Sequence, residues 1–204
     1  MRFFGAGRFL REVRDHHTLN IQGRRGSGKT LLSFAVAREF LRAGWASTIH
    51  SNVESSLCSP LYCPLESAFI VLDESWILLD SREWRKNKTT ALGAFLRKRA
   101  IWLALPSVFP IDSRYRALRA WRRFNLYRAG LPIWYYRWES GSGRDLREGG
   151  FWLFMPSSFF GQFDSFAEIC NDAGILDCLS QSFGLHSQVI GAVPWVPDGD
   201  GDGE

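Results

Sequence analysis

Residues 19–30 read L-N-I-Q-G-R-R-G-S-G-K-T, and the fold follows from them. A short extended run, Leu19 to Gln22, ends at Gly23. The pattern G-x4-G-K-T then fills Gly23 to Thr30. From Leu31 to Arg42 the spacing is helical, with Leu31, Phe34, Ala35, Phe40 and Leu41 roughly on one face and Gly44 as the stop. Strand, glycine loop and helix in that order are the context in which this pattern binds phosphate. Gly23, Gly26 and Gly28 let the backbone curl so that successive N–H groups converge on one anion. The helix adds its N-terminus. Lys29 is expected to reach the β- and γ-phosphates and the Thr30 hydroxyl to ligate Mg²⁺. ATP and Mg²⁺ are therefore the expected cofactors, with Arg24, Arg25 and Ser27 completing the cradle. The alternative is a glycine turn with a surface lysine.

Downstream, Trp45 to Val53 is β-like, and a Ser/Cys/Pro loop spans Ser55 to Pro64. The apolar strand Ala68 to Leu72 then ends at Asp73-Glu74. Such a strand delivers Asp73 to the sheet edge, where it can hold the Mg²⁺ water shell. Glu74 can polarise a water for in-line attack on the γ-phosphate, or can simply be a helix-start acid. Small-molecule kinases share the phosphate loop but exclude water, so an adjacent carboxylate argues for hydrolysis. Thr89 to Arg99 reads as helix, and Ile101 to Leu105 as another apolar strand closed by Pro106-Ser107. Continuously apolar strands alternating with helices describe an α/β fold whose mainly parallel sheet is buried on both faces. Beyond Asp112 the pattern changes. Ser113 to Trp121 reads as a short helix, and Phe124 to Arg128 with Ile133 to Trp138 as a β-hairpin appendage around Gly130-Leu131-Pro132. Trp152 to Phe154 reads as a last core strand and Phe163 to Ala173 as a helix. One domain is expected over 1–197, its core at about 18–160, with a disordered acidic tail over 198–204.

Composition narrows the function classes. The chain has 204 residues, 46% of them hydrophobic, which excludes disorder for the body. No apolar run reaches the roughly 18 uninterrupted residues of a membrane span, and charges follow Phe3-Phe4 too soon for a signal peptide. A host-cytoplasmic location is expected. The net charge is only +4, but from Arg82 to Arg128 thirteen basic residues stand against two acids, Glu83 and Asp112. Such segregation is the footprint of a polyanion, here double-stranded DNA held through its phosphates, or else a solvated basic face. Arg85, Lys86 and Lys88 are the candidate DNA contacts. Trp84, Trp121, Trp134 and Trp138 can stack on bases or fill packing contacts. Cys58, Cys63, Cys170 and Cys178 lack zinc spacing; buried thiols are the default, with a Cys58–Cys63 bridge as the alternative. His16, His17 and His50 are read as structural.

The two nucleotide motifs, with D-S-R-E-W-R-K-N-K from Asp80, R-K-R-A-I-W-L-A-L-P-S from Arg97 and I-D-S-R-Y-R from Ile111, resemble the FtsK–HerA superfamily of DNA-pumping ATPases. The likeness is to the packaging ATPases of membrane-containing icosahedral viruses, those of turreted icosahedral archaeal viruses above all. It covers roughly Leu19 to Arg116. It implies a P-loop NTPase of the RecA/ASCE type, assembling as a homo-oligomeric, hexameric ring that moves double-stranded DNA at a capsid or portal vertex. It also implies that Ile101 to Leu105 lies between the two motif strands and ends in a polar γ-phosphate sensor. That position holds Ser107 instead of the family's usual glutamine. A neighbouring subunit's arginine is implied as well: Arg97 by spacing, with Arg99 and Arg82 as rivals, against a plain basic helix end. The rival functions are a morphogenesis ATPase like those of filamentous phages and a small-molecule kinase with an arginine-rich lid.

Overall fold

The structure is a computed structural model that describes residues 1–53, 55–73, 92–108, 118–128, 131–141 and 145–154, with Ile175 and Cys178. In chain order its elements are β1 (Arg2–Phe4), α1 (Gly7–His16), β2 (Thr18–Gln22), α2 (Lys29–Arg42), β3 (Thr48–Ser51) and β4 (Ala68–Val71). There follow α3 (Leu92–Lys98), β5 (Trp102–Ser107), β6 (Leu118–Arg128), β7 (Leu131–Ser140) and β8 (Arg147–Phe154). The strands form one sheet in the order β1-β8-β7-β6-β2-β5-β4-β3. Strands β3, β4, β5 and β2 run parallel, with helices on both faces, so the chain is α/β.

Burial on both faces explains why β4 and β5 are apolar along their length. On one face α1 and α2 pack Phe9, Val13, Phe34 and Phe40 against Leu19, Ile21, Phe69, Val71, Trp102 and Ala104. On the other, Ile70, Leu72, Leu103 and Leu105 meet Leu96 of α3, Ile175 and Cys178. A fully buried Leu or Phe side chain contributes about 1.5–3 kcal/mol through removal from water.

Helix α2 ends as its sequence predicts. Gly44 sits at φ +69°, with Trp45 N donating to Phe40 O and Gly44 N to Leu41 O, a glycine-closed C-terminus. Strand β5 runs through Pro106 to Ser107 rather than closing before it. Ala104 faces β4, since its carbonyl accepts Leu72 N, so Pro106 also faces that side, past the last β4 pairing at Val71. Its missing N–H therefore removes no rung.

Three expectations change. The hairpin is not an appendage: β6 pairs in parallel with β2 through Asn20↔Arg119 and Ile21↔Ala120, and β7 and β8 extend the same sheet. Residues 118–121, read as the end of a helix, are strand, because the ladder to β2 and β7 overrides their local spacing. The packed body also begins before residue 18. Strand β1 pairs with β8, so Trp152 to Phe154 lies between β1 and β7, away from the parallel core. Residues 163–173 and the tail 198–204 lie outside the described residues.

Polar contacts tie α1 to the sheet. The Glu12 carboxylate accepts from Ser140 Oγ at 2.8 Å and from Arg147 at 3.1 Å, and His16 Nε2 lies 2.7 Å from the same Ser140 hydroxyl. Burial pushes the Glu12 carboxyl up, but these hydrogen bonds and the charges of Arg147 and His16 outweigh it and hold it below the usual range. His17 closes α1 at φ +61°, donates from Nδ1 to Ile101 O at 2.9 Å and stacks on Trp102. His50 bonds Thr48. All three histidines hydrogen-bond neighbouring protein groups. Trp134 and Trp138 are buried in the core, which removes them from base stacking.

The cysteines depart from the sequence reading. Cys63 is bridged to Cys178, 115 residues away, with Cα atoms 5.4 Å apart, and Cys58 is free. The bridge forms across the second core layer because Cys178 packs there beside Leu65. Burial pushes the Cys58 thiol up to about 11, which leaves it protonated and unreactive. Cys170 lies outside the described residues.

Candidate nucleotide site

The site is built where β2, β4 and β5 end together. Gln22 and Ser107 are register partners, so the glycine loop leaves the sheet beside the end of β5. Gly26 at φ +70° and Gly28 at φ +78° occupy the left-handed region that side chains resist. Gly23 is required for a different reason than the sequence suggested. Its backbone is ordinary, but a Cβ there would meet Ser27 Oγ and crowd Ser27 Cβ at 3.1 Å. A turn closed by Ser27 N to Arg24 O folds the loop back over itself, and Gly28 starts α2 as its N-cap. The loop thus runs directly into the N-terminus of α2, an arrangement of backbone N–H groups that can seat an anion.

Lys29 is buried, and its ammonium donates to Arg24 O at 3.3 Å, curled over the loop it is expected to serve. Arg24 and Arg25 are exposed at the loop's rim. Thr30 Oγ1 donates to Asp73 Oδ2 at 2.6 Å. These two residues come from different strand–helix units, separated in the sheet by β5, and stand 43 positions apart in the chain. A hydroxyl and a carboxylate at the lip of an anion seat are hard oxygen donors. They suit Mg²⁺, which takes few protein ligands and completes its shell with phosphate and water. Among the described residues no group of three His, Cys, Asp or Glu side chains forms an all-protein metal cage.

Two residues that sequence reasoning passed over support this arrangement. Asn52, just past β3 and 4% exposed, accepts from Asp73 N at Oδ1 (2.7 Å) and donates from Nδ2 to Asp73 O (3.0 Å). Tyr136, fully buried on β7, donates from its hydroxyl to Gly28 O at 3.3 Å. Neither carries a local signal, since each acts on a partner 21 or 108 residues away.

The remaining candidates separate cleanly. Ser107 is buried at the end of β5, opposite Gln22 of β2. Strand β5 lies between β2 and β4, the order that the resemblance implied. Arg97 is exposed in the last turn of α3 and close enough to His17 for its charge to act there, at the opposite end of the strands. The six residues of β5 span about 20 Å, so Arg97 is out of reach of its own chain's loop. Arg99 is paired with Glu66. Glu74, Arg82, Arg85, Lys86 and Lys88 lie outside the described residues, as does the side chain of Trp121. No helix among the described residues is long and apolar enough to cross a membrane. In sequence comparison the chain matches no protein-family model and no curated protein.

Proposed function

We propose that this chain is a Mg²⁺-dependent ATPase of the P-loop NTPase class. More narrowly, it is a motor that translocates double-stranded DNA as a ring and packages a viral genome at a capsid vertex. The first step rests on one observation: Thr30 donates to Asp73 in the first turn of a helix opened by a glycine loop, onto which the neighbouring Lys29 folds back. The second step rests on the basic excess between Arg82 and Arg128 and on the resemblance to FtsK–HerA packaging ATPases.

In this reading the loop N–H groups and Lys29 bind the phosphates. Thr30 and Asp73 hold Mg²⁺, which when bound neutralises charge building on the β- and γ-oxygens. Glu74 orients the attacking water and takes its proton. Ser107 hydrogen-bonds near the γ-phosphate. Because Arg97 is out of reach of its own site, it serves a neighbouring copy, where it stabilises transition-state charge and makes hydrolysis depend on assembly. Arg85, Lys86 and Lys88 contact DNA phosphates without regard to sequence, as translocation requires.

The test is ATP turnover with and without double-stranded DNA, across protein concentrations and two salt levels, with Lys29→Ala as control. Turnover should rise with DNA and with protein concentration, fall with salt, and drop to background in the Lys29 variant. Turnover indifferent to DNA refutes the translocase and favours a morphogenesis ATPase. No turnover in any condition refutes the ATPase and favours phosphoryl transfer to a small molecule.

A further inference from the structure

We propose that Asn52 is a positioning residue of the Mg²⁺–nucleotide site, acting through the backbone of Asp73; this inference rests on the ATPase reading above. The parallel β3–β4 ladder ends with Ser51 opposite Val71. One further backbone contact, Asn52 N to Val71 O at 3.3 Å, carries the pairing just past it. Beyond that point β3 turns away, Ser51 Oγ accepting from Val53 N at 3.0 Å, and among the described residues no strand continues on that side of β4 to hold Asp73. The Asn52 carboxamide takes the place of the missing strand. Its oxygen accepts the Asp73 N–H and its nitrogen donates to the Asp73 carbonyl, at 2.7 and 3.0 Å. A carboxamide offers a donor and an acceptor side by side, and only this orientation of the group satisfies both contacts.

Asn52 is itself buried while Asp73 is half-buried, and leaving a buried carboxamide's hydrogen bonds unmade is costly. Asn52 thereby sets where the Asp73 Cα stands at the end of β4, and so where its carboxylate meets Thr30. Aspartate at position 52 keeps the shape but loses the donor, and brings a second carboxylate near the first. Alanine loses both contacts.

The experiment is equilibrium binding of a fluorescent ATP analogue to the full chain, first in EDTA and then across a Mg²⁺ titration. It compares the wild type, Asn52→Ala and Asn52→Asp. Residues supporting metal ligands typically change metal affinity by about 10–100-fold when lost. Both variants should keep binding in EDTA within about twofold, because the loop and Lys29 are untouched. Their Mg²⁺ half-saturation should rise by about tenfold or more, a selective shift that a merely structural role would not produce. Unchanged Mg²⁺ half-saturation in the variants overturns the proposal. Equal weakening with and without Mg²⁺ also overturns it, since that marks a general structural role. Absence of any nucleotide binding by the wild type instead overturns the site reading itself. Residue-resolved hydrogen exchange on the wild type gives an arm independent of how the variants fold. The Asp73 amide should be protected like the β4 amides, and exchange as fast as in an open loop refutes the clamp.

Discussion

Replacing Cys63 by serine removes the bridge to Cys178 and lengthens the free chain in the unfolded state. The cross-link closes a loop of 115 residues. In the chain-entropy treatment, closing a loop of that length costs the unfolded ensemble about 16 cal/mol/K, or about 5 kcal/mol at 25 °C. The native side loses little, because serine is close in size and Cys178 stays packed against the second core layer with Leu65, Leu103 and Leu105. With a urea slope near 2.5 kcal/mol/M, the unfolding midpoint should fall by about 2 M. The assay is tryptophan fluorescence in urea, comparing oxidised wild type, reduced wild type, Cys63→Ser and Cys58→Ser. Reduced wild type and Cys63→Ser should coincide, with both far below oxidised wild type. Cys58→Ser, which breaks no bridge, should track the wild type. Midpoints of oxidised wild type and Cys63→Ser within about 0.3 M of each other would refute the entropic reasoning. Peptide mapping of unreduced protein that recovers Cys63 and Cys178 as thiols would refute the bridge.

Two further predictions test contacts around the site and its scaffold. Tyr136→Phe keeps the ring and removes the donor to Gly28 O, which still accepts Leu32 N. The loss should be about 1 kcal/mol of stability, with nucleotide affinity down a few-fold on the proposed reading, because Gly28 begins the helix at the glycine loop. Unaltered affinity in the purified variant would show that β7 does not steady the loop. The Glu12 carboxyl is depressed in the folded chain, so its contribution is fully present above the unfolded glutamate pKa of about 4.3. That contribution is lost as pH falls through the lower folded value. Melting curves from pH 7 to 3 should therefore fall more steeply for the wild type than for Glu12→Gln, and parallel curves would contradict the linkage.

Much of the site was legible because its parts are local. A glycine loop between a strand and a helix satisfies its geometry within eight residues. Gly26 and Gly28 take the positive φ expected of them, and Lys29 curls over its own loop. The core strands were legible because burial on both faces leaves an unbroken apolar run, as in Ala68 to Val71. Elsewhere a local pattern misled. Residues 118–121 carry helical spacing, yet ladders to β2 and β7 make them strand.

What no local reading could supply is the order of the strands. The resemblance, rather than any spacing, anticipated β5 between β2 and β4. That order sets the gap across which Thr30 meets Asp73. It also brings together Cys63 with Cys178, Glu12 with Ser140, and Asn52 with Asp73. Turn preferences and helix caps act over a few neighbouring residues and are written there. A hydrogen bond between residues 21 or 128 positions apart exists only once the sheet has chosen its neighbours, so the glycine loop belongs to the sequence and its alignment with Asp73 to the tertiary fold.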